Sequence, residues 1–180
     1  LDQFYGIEID DFACDVTRLS LWIAEHQMNI KLHEMISDAI RPTLPLQHAG
    51  AIVNDNALFV DWKKIMPIGS TSESYLFGNP PYLGSSMQSK KQKSEVTEVL
   101  SGVISKYKNL DYIACWFVLA ANYSKKTKTQ FAFVSTNSIC QGEKVEQLWN
   151  VILREFDIKF AYQSFHWKNS AKKNAGVIVR

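Results

Sequence analysis

The sequence predicts an α/β fold built on a mostly parallel sheet covered on both faces, ending in an antiparallel hairpin. Three observations predict it. Short apolar runs of strand length alternate with stretches whose apolar residues recur every three or four positions, the order of parallel strands joined by crossover helices. The last two strand-like runs are separated by a polar turn and no helix, which suits a hairpin at a sheet edge. With 180 residues, 46% of them apolar and 12% aromatic, the chain has material for one hydrophobic core and reads as one domain or part of one.

The elements follow in order. Residues 4–9 form a first strand, and Asp10-Asp11 offers an N-cap and early negative charge for a helix over 12–28. Phe12, Val16, Leu19 and Ile23 recur at helical spacing, widened by Leu21, Trp22 and Met28, so this face is expected to pack on a sheet. Pro42 and Pro45 break the pattern before a short buried strand at 51–53 and a polar turn at 54–56. A Gly-Ser-Thr-Ser linker at 69–72 leads to a buried strand over 74–78. A lysine-rich mobile loop is expected after it, then a helix carrying Val96, Val99, Leu100, Val103 and Ile104. Residues 110–123 are apolar nearly all round and predict a buried helix. A central strand at 130–135, an amphipathic helix at 142–156, and closing strands at 159–162 and 176–179 complete the chain.

Composition narrows the function classes. A net charge of +2 announces no large basic surface, so any nucleic-acid contact falls to local clusters such as Lys90, Lys91 and Lys93. Cys14, Cys115 and Cys140 are far apart, and the four histidines make no metal-binding spacing, so no metal site is expected. No stretch reaches the roughly 18 apolar residues of a membrane helix, and the N-terminus lacks the order of a signal peptide. A soluble, cytoplasmic protein with reduced cysteines is the expectation.

The stretch most able to carry chemistry is Asn79-Pro80-Pro81-Tyr82, directly after the apolar run at 74–78. In open α/β sheets ligands bind outside the carboxyl ends of strands, where this tetrapeptide falls. An exocyclic amine conjugated to a base is a poor nucleophile unless its hydrogens are drawn out of the ring plane. Two fixed acceptors would do so: the Asn79 side-chain oxygen and the Pro80 carbonyl, the latter held by proline's locked φ and by the restriction Pro81 imposes. Tyr82 adds an aromatic face on which an extruded base could stack.

Asn79-Pro80-Pro81-Tyr82 resembles the catalytic motif of the amino-methylating DNA methyltransferases, in particular the N6-adenine group of restriction-modification type. Tyr5-Gly6-Ile7-Glu8-Ile9-Asp10 is similar to that family's second motif, and Asp55-Asn56-Ala57-Leu58 to its third. The resemblance implies a Rossmann-like fold that uses S-adenosylmethionine. Glu8 would then hold the ribose hydroxyls, and Ile9 would lie on the cofactor adenine. Asp55 or Asn56, with Ala57 beside them, would read the adenine's amino group, and Phe117, or its neighbour Trp116, would pack on its ring. Gln163-Ser164-Phe165-His166-Trp167 is similar to the late motif that holds the flipped base, which implies Phe165 or Trp167 in that role. Double-stranded DNA with a flipped adenine is the implied partner, and Lys90, Lys91 and Lys93 would meet its phosphates.

The motif order carries further expectations. Only 20 residues, 59–78, lie between the third motif and Asn79, which leaves no room for a target-recognition domain there. The arrangement is like that of enzymes with target recognition after the methyltransferase domain. The glycine-rich first motif of such a domain lies about 20 residues before its ribose acid, whereas Leu1 is only seven residues before Glu8. Residues 1–180 are therefore expected to be a partial catalytic domain of a larger polypeptide extending on both sides. It would lack the central strand between those bearing Glu8 and Asn79, and would be inactive alone. Two other functions use the same residues: methylation of a protein glutamine amide, and non-catalytic binding of DNA or a nucleotide.

Overall fold

A computed structural model describes residues 1–36, 51–69, 72–162, 165–166 and 178–179. They form an α/β arrangement of short strand pairs divided between two compact units, Leu1–Pro67 and Ile68–Arg180. The division falls just before the expected 69–72 linker.

In the first unit, β1 (Tyr5–Glu8) pairs in parallel with β2 (Ala51–Asn54), register Tyr5 with Ala51 through Glu8 with Asn54. Between them runs α1 (Asp11–Met35), started as expected by Asp10, whose Oδ1 accepts the Ala13 N–H at 2.8 Å. The helix runs past residue 28 because nothing in the next seven residues is a glycine or proline.

Its expected core face is not the one it buries. Phe12, Val16, Leu19 and Ile23 are exposed, Phe12 to 77%, while Cys14 is fully buried and Arg18, Leu21, Trp22 and Glu25 are half-buried. Arg18 donates from Nη2 to the Ile52 carbonyl at 2.9 Å, tying the helix to β2 by that stripe. Two strands offer a ladder only wide enough for one stripe of a helix with apolar residues on both sides. For the same reason β2, expected to be buried, has its ends exposed and its middle half-buried, and a one-turn helix, α2 (Trp62–Ile65), follows it.

The second unit is built on β3 (Glu73–Gly78) and β4 (Lys128–Phe133), parallel and in register from Glu73 with Lys128 to Gly78 with Phe133. Ser74 and Thr129 share a buried hydroxyl hydrogen bond of 2.7 Å across the ladder. The strand expected to be buried throughout, β3, alternates instead: Ser74 is inside, while Tyr75 and Phe77 are 62% and 78% exposed. A period-2 backbone sends adjacent side chains to opposite faces, and the helices cover only one.

That covering layer comprises α3 (Lys90–Leu100), α4 (Ala114–Ser124) and α5 (Lys144–Ile152). Their core includes Leu100, Ile104, Leu110, Ile113, Val118, Leu148 and Ile152, each at most 4% exposed. Helix α4 is buried almost all round, as its composition predicts. Lys90, Lys91 and Lys93 lie in the first turn of α3, not in a mobile loop. The Ser89 side chain accepts the Gln92 N–H and the Gln92 side chain accepts the Ser89 N–H, so the helix starts earlier than its apolar period suggests.

The antiparallel ending is present with a shifted first strand. Strand β5 (Phe165–His166) pairs with β6 (Ile178–Val179). Residues 159–162, expected to form that strand, carry exposed Phe160 and Tyr162 and no ladder. Alternation there marks extended chain, but a strand exists only where a partner is in register. Trp167 lies outside the described residues. Among the described residues no helix is long and apolar enough to cross a membrane.

Candidate active site

Strand β3 delivers the Asn-Pro-Pro-Tyr segment to the carboxyl end of its parallel pair. Just before it, the Gly78 carbonyl accepts the Val134 N–H at 3.0 Å, extending the ladder by one bond. Asn79 and Pro81 are exposed, Pro80 is buried and Tyr82 is half-buried. The next residue is held on both backbone groups. The Leu83 N–H donates to Asp111 Oδ1 at 2.8 Å, and the Leu83 carbonyl accepts from the Tyr112 N–H and Gln88 Nε2, each at 3.0 Å. Nε2 of Gln88 also reaches the Leu110 carbonyl at 3.1 Å.

Asp111 is only 5% exposed, yet its carboxylate is well supplied with donors. Besides Leu83 it accepts the Ile113 N–H at 3.3 Å and the Ser138 hydroxyl at 3.0 Å. Ser138 stands in the 3-10 turn Asn137–Cys140 after β4, and its hydroxyl also pairs with that of Thr136 at 2.7 Å. Sequence reasoning missed Asp111, Gln88 and Ser138. The one available signal was a lone carboxylate within the apolar run Leu110-Asp111-Tyr112-Ile113.

Behind the loop the packing is aromatic. Phe117 on α4 is 6% exposed and meets Phe133 and Trp149 edge-on, centroids 5.3 and 5.4 Å apart. Trp116 is half-buried, edge-on to Tyr112 at 5.2 Å. Tyr112 donates its hydroxyl to the buried Glu95 Oε2 at 2.5 Å. Burial, then the Glu95 carboxylate, raises the Tyr112 phenol well above its usual range, and the same causes push the Cys115 thiol up to about 12.

The second cluster belongs to the first unit. Glu8 ends β1 opposite Asn54. One carboxylate oxygen of Glu8 accepts the Asp10 N–H at 3.0 Å, and the side chain stays half-buried. Its backbone carbonyl accepts from the Asp55 N–H at 3.0 Å and from Asn54 Nδ2 at 3.2 Å, and Asn54 Nδ2 also donates to the Ile9 carbonyl at 3.1 Å. These bonds bring Glu8, Ile9 and Asp55 together, with Ile9 67% exposed beside the carboxylate. Asn56 Oδ1 accepts the Leu58 N–H at 3.0 Å, and the Ala57 carbonyl accepts Trp62 Nε1 at 2.8 Å. Asp55 itself is exposed, with Oδ1 on the Asn56 N–H.

Among the described residues no three His, Cys, Asp or Glu side chains gather in a way that could hold a metal ion.

Comparison with known proteins places this arrangement. All of residues 1–180 match the family described as MmeI, DNA-methyltransferase domain. The chain is 53% identical over 180 residues to DNA methyltransferase A of Bacillus subtilis (strain 168), covering 99% of this chain and 20% of that protein. It also matches the solved structure of the type IIL restriction-modification enzyme MmeI in complex with DNA, with a TM-score of 0.87 and 37% identity. That match covers 99% of this chain and 24% of the other. The chain thus spans about a fifth to a quarter of the relatives it resembles, and over its whole length it belongs to the MmeI DNA-methyltransferase family.

Proposed function

We propose that this chain is the catalytic segment of an adenine-specific DNA methyltransferase of a restriction-modification system, with a Rossmann-like fold that uses S-adenosylmethionine. The observation that carries the reading is the Asn-Pro-Pro-Tyr segment, held by backbone bonds on either side at the end of β3 with the Asn79 side chain exposed. Asn79 Oδ1 and the Pro80 carbonyl accept the two hydrogens of the adenine amine, drawing its lone pair out of conjugation. Tyr82 stacks against the extruded ring. Phe165 or Trp167 is the residue that the resemblance of the late motif gives for holding the flipped base.

The residues of the first unit suit the cofactor. Glu8 keeps one carboxylate oxygen beyond its bond to Asp10 for the ribose hydroxyls, and exposed Ile9 offers an apolar surface for the adenine. Asn56 accepts the Leu58 N–H with its one side-chain oxygen, whereas exposed Asp55 has a second carboxylate oxygen beyond the one on the Asn56 N–H, so Asp55 is the better acceptor for the adenine's amino group, with Ala57 beside it. In the second unit, the resemblance gives Phe117, or the more exposed Trp116, as the aromatic for the cofactor's adenine ring. The cofactor supplies a methyl group activated as a sulfonium, so the protein's task is to position the amine.

Lys90, Lys91 and Lys93 occupy a helix N-terminus with no acidic residue in its first turn. Positive side chains there oppose the helix dipole, an arrangement a DNA phosphate would relieve. DNA as substrate is supported by the relatives, one called a DNA methyltransferase and the other a restriction-modification enzyme solved with DNA.

Asn79→Ala in the full-length protein tests the reading. Loss of one of two fixed acceptors is expected to lower the methylation rate by about 10²- to 10³-fold. Radiolabelled methyl transfer and nucleoside mass spectrometry measure it, with N6-methyladenine the expected product of the unaltered protein. Undiminished methylation by the variant removes the mechanism, and a methylated cytosine or protein glutamine as the sole product removes adenine as the substrate.

A further inference from the structure

We propose that Asp111 is a positioning residue for the methyl-accepting loop, acting through Leu83 to set where Asn79, Pro80 and Tyr82 stand. The inference rests on the adenine-methyltransferase reading above. Its basis is how the segment is anchored. On one side the Gly78 carbonyl is tied to the Val134 N–H, so the loop leaves the sheet from a fixed point. On the other, Leu83 has its N–H held by Asp111 and its carbonyl held by the Tyr112 N–H and Gln88. Between these anchors stand four residues, two of them prolines with locked φ, so the segment has few ways to absorb a shift at one end. A displacement of Leu83 is passed directly to Tyr82 and to the Pro80 carbonyl.

Asp111 is the least replaceable of these anchors. Its bond to Leu83 has an ionisable carboxylate as acceptor, and when ionised such bonds are roughly twice as strong as neutral ones. Among the described residues no lysine or arginine forms an ion pair with it. Its partners are two backbone N–H groups and the Ser138 hydroxyl. Burying a carboxylate among neutral donors adds little to stability compared with an apolar side chain of the same size. What it does secure is direction: Oδ1 faces the loop, and Oδ2 is aligned by Ser138 from the turn after β4. The loop is thereby referenced to two separate segments of the unit.

The experiment measures single-turnover methylation by the full-length enzyme at saturating DNA and S-adenosylmethionine, with DNA affinity and melting temperature, for Asp111→Ala, Asp111→Asn, Ser138→Ala and Asn79→Ala. A loop displaced by an ångström costs about 10²-fold, so Asp111→Ala is expected to lose about that much in saturated rate while DNA affinity stays within about twofold. Asparagine keeps an oxygen for Leu83 and Ile113, so Asp111→Asn is expected to recover most of the rate. Ser138→Ala, which only loosens the carboxylate, is expected to lose about three- to tenfold.

The positioning role is overturned if folded Asp111→Ala keeps its saturated rate within about twofold, or if Asp111→Asn recovers nothing. Should Asp111→Ala fail to fold, Ser138→Ala decides: a wild-type melting temperature with an unchanged rate overturns the proposal. Asn79→Ala separates the two claims. If it too retains full rate, the catalytic reading of the loop falls, whereas if it alone loses activity only the role of Asp111 falls.

Discussion

Asn79 owes its place to its neighbours' backbone, not to contacts of its own side chain, and the residue stays exposed. That division of labour explains which residues were legible. Asn79, Tyr82 and Glu8 stand in short motifs whose chemistry can be argued from residue type. Asp111 and Gln88 act by filling hydrogen bonds of Leu83 and Leu110, and those partners exist only once the chain is folded. The cysteines show the same dependence on surroundings. Cys14 and Cys115 are buried and Cys140 is exposed, and the Cys115 thiol is pushed up to about 12 by burial and by the Glu95 carboxylate. A thiol so raised carries almost no thiolate near neutral pH, and thiolate is the reactive form. Iodoacetamide at pH 8 is therefore expected to alkylate Cys140 in the native protein and to reach Cys14 and Cys115 only after denaturation, as peptide mass spectrometry would show. Because the folded thiol holds its proton above the unfolded value, the stability Cys115 contributes is complete below the unfolded pKa. It is lost as pH rises from there toward 12.

At the scale of the element, α3 sets the cost of bringing charge near the loop. Its first turn carries Lys90, Lys91 and Lys93, and the N–H groups of Ser89 and Gln92 at its start are met by each other's side chains. Ser89→Ala is expected to lower stability by about 1 kcal/mol, measured by urea unfolding, because no first-turn acid compensates. Replacing all three lysines by alanine should leave that stability intact or raise it slightly. In the full-length protein the same change should weaken DNA binding and flatten its dependence on log salt by about 0.9 for each phosphate contact removed. An unchanged slope would take these lysines out of the interface. Helix α1 shows why periodicity alone chose the wrong face. Phe12, Val16, Leu19 and Ile23 form the cleaner apolar stripe, yet the stripe through Cys14, Arg18 and Leu21 meets the strands, since Arg18 bonds the Ile52 carbonyl. A helix with two apolar sides is compatible with either, and only the partner decides.

For the whole molecule, the second unit holds nearly all of the fully buried apolar core, while the α1 stripe and the Tyr75 and Phe77 face of β3 lie open to solvent. Apolar stripes of that kind drive association when nothing covers them. The 180-residue chain on its own is expected to self-associate with rising concentration, as light scattering would report. Val16→Lys, Leu19→Glu and Ile23→Lys together should suppress this while changing unfolding stability by no more than about 0.5 kcal/mol per site, since those side chains are already exposed. A large loss of stability would mean that the stripe is buried in solution.

By itself the sequence determined the α/β alternation of elements, parallel strands with an antiparallel ending, and the two motif-bearing strand ends where Glu8 and Asn79 stand, while the expected single sheet covered on both faces is seen as separate two-stranded ladders. These follow from local periodicity, turn chemistry and residue type, which act over a few positions of chain. Tertiary structure alone decided which face of α1 and β3 is covered, and where the last ladder pairs. It also decided that Leu83 would be clasped by a carboxylate 28 residues away. The physical reason is common to all three: burial and hydrogen-bond satisfaction belong to pairs of segments, and a pair has no energy until folding brings its second member into reach.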